Sequence, residues 1–234
     1  MALPKPARPE YTTTLPSTGK RIKYQPFTVK EEKVLVRAAE GSDTDEITNA
    51  ISNVLSACIT SPADLKIEDL ALFDIEFLFL RARSKSAGEK IKLKVTDPND
   101  ETFIKEHEIN IDKIVVEKNK KHKDLITLSE TISVKMKYPD ISFFNEGIST
   151  DNIATTTKLI ARCISQICIE EEVHDRSEMT DAEAEEWLDS LTIEQFTKIS
   201  DFFVTMPKLK HSFTIRNTNT DKDFTIELEG LADF

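Results

Sequence analysis

The sequence predicts an α+β fold made by internal duplication of one unit: an entry strand, helices, a buried helix and a β-hairpin. The second copy also carries an acidic helical insertion. Three observations lead there. From Leu65 to Leu80 apolar residues fill almost every face of a helix, through Leu70, Phe73, Ile75, Phe77, Leu78 and Phe79, and a helix apolar all round is a buried one. After Gly88, Ile91, Leu93 and Val95 alternate with Lys90, Lys92 and Lys94, turn at Asp97-Pro98-Asn99-Asp100 and return through Thr102-Phe103-Ile104, which is a half-buried hairpin. The pattern then comes back. Leu191-Thr192-Ile193-Glu194-Gln195-Phe196 repeats Leu65-Lys66-Ile67-Glu68-Asp69-Leu70, Phe203 falls on Phe77, and a second hairpin runs through Phe213 and Ile215, Asn217-Thr218-Asn219, then Phe224, Ile226 and Leu228. A repeat of this length governs how the rest of the chain is read.

Residues 1–16 form an extended N-terminal arm, because Pro4, Pro6, Pro9 and Pro16 with Thr12, Thr13 and Thr14 favour polyproline-like backbone. It is either a disordered tail or a strap over a neighbouring subunit anchored by Tyr11 and Leu15. The first α+β repeat covers 17–111. Lys20 to Tyr24 is its entry strand. Thr28 with Glu31 makes a capping box for the first helix, which Gly41 ends. Asp43 or Thr44 caps a second helix carrying Ile47, Ile51, Val54, Leu55, Cys58 and Ile59, closed by Ser61-Pro62. The buried helix and hairpin follow. Residues 112–124, with Lys113, Lys118, Lys120, Lys121, His122 and Lys123, read as a solvated basic linker, or as a contact for an acidic surface.

The second repeat covers 125–234. Ile132, Val134, Met136 and Tyr138 alternate on its entry strand, and Met136-Lys137-Tyr138 with Pro139 matches Ile22-Lys23-Tyr24 with Pro26. Pro139 to Gly147 replaces the first helix by something shorter. Thr150-Asp151-Asn152-Ile153 matches Thr44-Asp45-Glu46-Ile47, Cys163-Ile164 matches Cys58-Ile59, and Asn152 to Ile169 restores the second helix. The second helices align at an offset of 105 and the buried helices at 126, so the 21 residues 170–190 have no counterpart in the first repeat. This insertion holds ten carboxylates against Arg176, a net −9 of the chain's −11. Thr180 and Glu183 can cap a helix there, with Ala184, Trp187 and Leu188 on one face. Either Trp187 plugs a gap between the halves, or the acids, Glu185 and Glu186 among them, steer a basic partner that Trp187 and Leu188 anchor. The partner-binding candidates are therefore Trp187, Leu188, Glu185, Glu186, Tyr11 and Leu15.

Composition narrows the function. A net charge of −11 argues against nucleic acid as the main partner. Three cysteines give no disulfide framework. The first residues lack the apolar run of a secretion signal, and the buried stretch is too short and too closely followed by Arg81, Arg83 and Lys85 to span a bilayer. His107, His122, His174 and His211 show no metal-ligand spacing with the cysteines, Ser84 and Ser86 lack a nucleophile elbow, and five glycines leave no phosphate-cradling loop. The expectation is no enzyme, no cofactor, no metal, no membrane partner and no small-molecule substrate. The sequence gives no oligomeric state.

Leu15-Pro16-Ser17-Thr18-Gly19-Lys20, Pro26-Phe27-Thr28-Val29-Lys30-Glu31-Glu32-Lys33, Phe73-Asp74-Ile75-Glu76-Phe77-Leu78-Phe79-Leu80 with Arg83-Ser84-Lys85-Ser86, and the ending Leu228-Glu229-Gly230-Leu231 carry a resemblance. In these stretches the chain resembles the baseplate hub subunits of T-even-type contractile-tailed bacteriophages. The resemblance implies a late, non-enzymatic protein of viral tail assembly whose partners are other baseplate hub or tail proteins. It implies a place in the host cytoplasm during assembly, and in the baseplate of the virion if the chain is a structural component. It leaves two roles: a structural protein of the central hub, or an assembly chaperone that holds a hub or tape-measure protein and is absent from the mature virion.

Overall fold

The computed structural model describes residues 6–41, 44–143 and 153–234. The chain is α+β, and it divides into two compact units, Met1–Glu117 with Lys208–Phe234, and Lys118–Pro207.

In the first unit β1 (Tyr11–Thr14), β2 (Arg21–Tyr24) and β3 (Ile59–Ser61) form an antiparallel sheet in that order. Two helices, α1 (Val29–Gly41) and α2 (Thr44–Cys58), lie between β2 and β3 and pack on each other. Glu31 accepts the Thr28 backbone N–H at 2.8 Å, which satisfies one of the free donors at the start of α1. The buried helix α3 (Leu72–Ala87) follows, then the hairpin β4 (Lys90–Asp97) and β5 (Asp100–Asn110). A short strand β6 (Val115–Glu117) pairs with β11 (Lys208–Asn217), which forms the second hairpin with β12 (Lys222–Glu229). One apolar cluster joins Phe77 and Leu80 of α3 to Ile109, Ile111, Ile114, Leu209 and Leu228. Another joins Val95 and Phe103 of the first hairpin to Ile215 and Phe224 of the second. The two hairpins thus share one core, with Phe103 edge-on to Phe224 at 5.9 Å and His107 stacked on Phe213 at 4.3 Å.

The second unit holds the sheet β10-β9-β8-β7, with β7 (Leu125–Thr127), β8 (Ile132–Met136), β9 (Ile164–Ile169) and β10 (Glu172–Asp175) antiparallel throughout. Its helices are α4 (Ile153–Cys163), α5 (Asp181–Asp189) and α6 (Ile193–Thr205). Helix α5 packs on α4.

The elements recur in order. Strand β2, helix α2, strand β3, helix α3 and hairpin β4–β5 are followed by β8, α4, β9, α6 and β11–β12. The details of pairing recur as well. Tyr24 lies opposite Ile59 and Met136 opposite Ile164, each beside a register shift, and the next N–H, of Gln25 or Lys137, donates to the carbonyl of Cys58 at 2.8 Å or Cys163 at 2.7 Å. Each hairpin also carries lysines on its first strand against glutamates on its second: Lys90 with Glu108, Lys208 and Lys210 with Glu229.

Several expectations need correction. The end of the expected arm is not a disordered tail, since Tyr11–Thr14 is a strand paired with β2 and Leu15 is 2% exposed. Nor is 112–124 wholly a solvated linker. Val115–Glu117 pairs with β11, and the boundary between units falls after Glu117. The last hairpin belongs to the first unit, because its apolar face closes the core of the first hairpin. Helix α3 begins at Leu72 and not at Leu65; residues 67–69 are a 3-10 turn whose preceding Lys66 offers no side-chain cap. At the matching place Thr192 and Gln195 form a full capping box, so α6 starts at Ile193. Both second helices stop at their cysteine, and Ile164–Ile169 is a strand because β-branched Ile164 and Ile167 fill the pleat beside β8. The entry strands match two residues away from the sequence alignment: Tyr24 corresponds to Met136, and Tyr138 lies beyond the strand, stacked against His122. The cap at Asp43, the part of Pro139–Gly147 after Phe143 and the match over Thr150–Asn152 lie outside the described residues.

Candidate interaction site

The insertion 170–190 builds two elements. Strand β10 adds an edge to the second sheet, after a tight turn in which Glu170 takes a φ of 56°. Helix α5 is started by Thr180, whose hydroxyl accepts the Glu183 N–H while the Glu183 carboxylate accepts the Thr180 N–H at 2.8 Å. Those bonds, with the Thr180 backbone first, hold the Glu183 carboxyl below its usual range. Arg176 pairs with Asp181 and donates to the Met179 carbonyl, fixing the approach to the helix.

The candidate residues separate on this frame. Ala184 and Leu188 are buried, so Leu188 lies in the core of its own unit. Trp187 and Glu185 are half-buried and Glu186 is exposed. These three consecutive side chains reach solvent from one turn of α5, fanned around it by about 100° per residue. Leu15 is likewise consumed by its own unit: its N–H bonds the Lys20 carbonyl and its carbonyl accepts Gly19 N–H, both at 2.9 Å. The Tyr11 ring is half-buried between Tyr24, 5.8 Å away, and the Lys85 ammonium, 5.7 Å from its centroid.

Reading α3 as uniformly apolar passes over its polar residues. Asp74 is fully buried and accepts the Ser17 backbone N–H at 3.0 Å together with the Ser17 hydroxyl. Glu76 is 8% exposed and accepts the Leu231 N–H at 3.0 Å. Further along, Arg81 and Lys85 pair with Asp112, Ser84 donates to Asp112 at 2.8 Å, and Ser86 accepts the Phe27 N–H at 2.9 Å. These side chains tie α3 to four places in its unit, at Ser17, Phe27, Asp112 and Leu231. The signal was present in the pattern Asp74-Ile75-Glu76: two acids inside an apolar run need partners. A second missed constellation lies at the hairpin tips. Asn217 is fully buried, donates to Asp97 Oδ2 at 2.6 Å and to Asp100 Oδ2 at 3.1 Å, and accepts Asn219 N–H at 2.8 Å. Asp97 accepts Asn99 N–H in the same way at 2.9 Å. Two matching turns are therefore bonded to each other through their first residues.

Burial pushes the Cys58 thiol up to about 11 and the Cys163 thiol up to about 12, which keeps both protonated. Among the described residues no His, Cys, Asp and Glu gather into a metal-holding group, and no helix is long and apolar enough to cross a membrane. A cavity of about 120 Å³ beside Lys210, His211 and Glu227 falls short of the roughly 300–1,000 Å³ typical of small-molecule sites. On the second unit, α5 presents an acidic helix that carries a half-buried indole.

Comparison with known proteins decides the family. A profile described as T4 bacteriophage base plate protein matches residues 8–234. The chain belongs to that family. The match takes in both units and the acidic insertion, so the whole architecture above is that of a baseplate protein. No curated protein gives a significant match to the chain, and no solved structure does.

Proposed function

We propose that this baseplate protein is a non-enzymatic structural subunit of the baseplate's central hub. It would meet other hub or tail proteins through α5 and reside in the virion tail. The observation that carries the reading is the family match over residues 8–234. The resemblance of several stretches to hub subunits favours the hub among baseplate positions. The buried polar groups of the described residues serve as ties between turns, as a load-carrying structural subunit needs. Trp187 is the proposed anchor, because a half-exposed indole has a large apolar face to bury and one N–H to satisfy. Glu185 and Glu186 beside it supply the charge that steers a basic partner surface.

Replacing Trp187 by Ala together with Glu185 and Glu186 by Lys tests this. The expected result is a melting temperature within a few degrees of wild type, with baseplates that no longer incorporate the protein. Normal incorporation by the triple variant would overturn the assignment of this surface. Production of infectious tails without the protein would overturn the hub reading itself.

A further inference from the structure

We propose that Gly230–Phe234 is a proton-sensitive latch, held closed over the apolar cluster of the first unit by the buried carboxyl group of Glu76 and loosened when that group ionises. The geometry is specific. Leu231–Asp233 forms a 3-10 turn directly after β12. Leu231 and Phe234 pack on the cluster of Phe77, Leu80, Ile109, Ile114, Leu209 and Leu228. The turn is fixed by Gly230 N–H to the Leu209 carbonyl at 3.0 Å and by Glu229 N–H to Asp233 Oδ2 at 2.7 Å. The tie to α3 is the 3.0 Å bond from Leu231 N–H to Glu76 Oε1. Gly230 has a φ of 74°, and a Cβ added there would lie 3.0 Å from the same oxygen. A side chain at 230 would therefore meet both backbone strain and the carboxyl group.

The charges around Glu76 make this tie conditional. Facing it from β12 is Glu229, a like charge. Lys208 and Lys210 of β11 direct their ammonium groups at Glu229, at 2.7 and 2.9 Å. Asp233 of the turn accepts a backbone N–H. On α3 itself Asp74 is engaged with Ser17, and Arg81 with Asp112 and the Ile114 carbonyl. Among the described residues, then, Leu231 N–H is the donor Glu76 has. One backbone N–H is weak compensation for a carboxylate taken out of water.

The direction follows. Burial, opposed by the Leu231 bond and assisted by Glu229, raises the closed-state carboxyl from 4.5 to about 7. In the open state Glu76 ionises normally, so the closed state holds its proton over a range where the open state has lost it. Closure is fully favoured below about 4.5 and weakens as pH rises to about 7. Opening should increase about tenfold per pH unit across that window, roughly 300-fold in total, and level off above it.

Hydrogen exchange on the full chain tests the latch, with protection factors corrected for intrinsic exchange. The Leu231 amide reads the latch, and the Ile111 amide, bonded to the Glu89 carbonyl at 2.8 Å, reads the unit beneath it. Leu231 protection should fall about tenfold per pH unit from 5 to 7 while Ile111 protection holds. Glu76→Gln should remove that slope, and Gly230→Ala should lower Leu231 protection at every pH. A flat Leu231 profile in the wild type overturns the proposal. So does an unchanged slope in Glu76→Gln, a parallel fall at Ile111, which would mean the whole unit opens, or full protection in Gly230→Ala.

Discussion

Replacing Asn217 by Ala should be among the most damaging single changes in the first unit, although the side chain is polar and sits at a hairpin tip. Its Nδ2 donates to Asp97 Oδ2 at 2.6 Å, with Asn217 fully buried and Asp97 3% exposed. A hydrogen bond to a charged group contributes about 1.5–3 kcal/mol, and leaving a buried acceptor short of a partner adds about 1–3 kcal/mol. The loss of Oδ1 also frees Asn219 N–H, which it accepts at 2.8 Å. The expected cost is therefore about 3–5 kcal/mol. Urea unfolding followed by far-ultraviolet circular dichroism measures it, and exchange at Ile215 in the adjoining cluster localises it. Asn217→Asp sharpens the test. Two buried carboxylates at that distance cannot both ionise, so the pair holds a proton to a higher pH in the folded state than in the unfolded one. The variant should approach wild-type stability in acid and lose it as pH rises. A cost below about 1 kcal/mol for Asn217→Ala, or a pH-independent Asn217→Asp, would refute the reasoning that the tips are bonded across a buried amide–carboxylate contact.

Other consequences are as direct. Phe77 and Phe203, 8% and 6% exposed, occupy matching places in α3 and α6, and Phe→Ala at either should cost about 3–5 kcal/mol in denaturant unfolding. His122 is packed against Tyr138 and Phe202, with Nδ1 3.0 Å from Thr205 Oγ1 and Nε2 buried without a partner. Burial lowers its pKa despite Asp124, so its contribution is present above the ordinary 6.5 and is lost as pH falls through the depressed value. Trp187 fluorescence, which reports on the same unit, should show thermal stability declining in mild acid, and His122→Phe should blunt that decline. Cys58 and Cys163 are buried and held protonated, so a disulfide reagent at pH 8 should label half-buried Cys168 first and reach the other two only on unfolding, as peptide mapping by mass spectrometry would record.

Much of the fold was legible because its periodicities are long. The buried run through Phe77, the Lys-alternating strand after Gly88 and the recurrence at Leu191 each fix an element type, and the capping boxes at Thr28 and Thr180 each fix a helix start. What stayed hidden is mostly short or non-local. Strands β3, β6 and β10 have three or four residues, too few for alternation to show, and β10 carries Val173 as its one apolar side chain. The helix-to-strand change after Cys58 and after Cys163 has neither Gly nor Pro to mark it. The second hairpin joins the first unit through contacts about 120 residues apart, such as Asn217 with Asp97, which no local pattern encodes. Of the candidate residues, Leu15 and Leu188 are buried within their own units, which an apolar residue type alone does not distinguish from a place at a partner surface. The acids of α3 could have been singled out, since Asp74 and Glu76 inside an apolar helix require partners somewhere.

Quantitative mass spectrometry of purified mature particles tests the central claim most directly. The account predicts that this chain is present, in a fixed ratio to other baseplate proteins, and that it stays with the baseplate when tails are taken apart. Its absence from infectious particles, with abundance confined to lysates of assembling phage, would contradict a structural place in the hub and leave the chain an assembly factor.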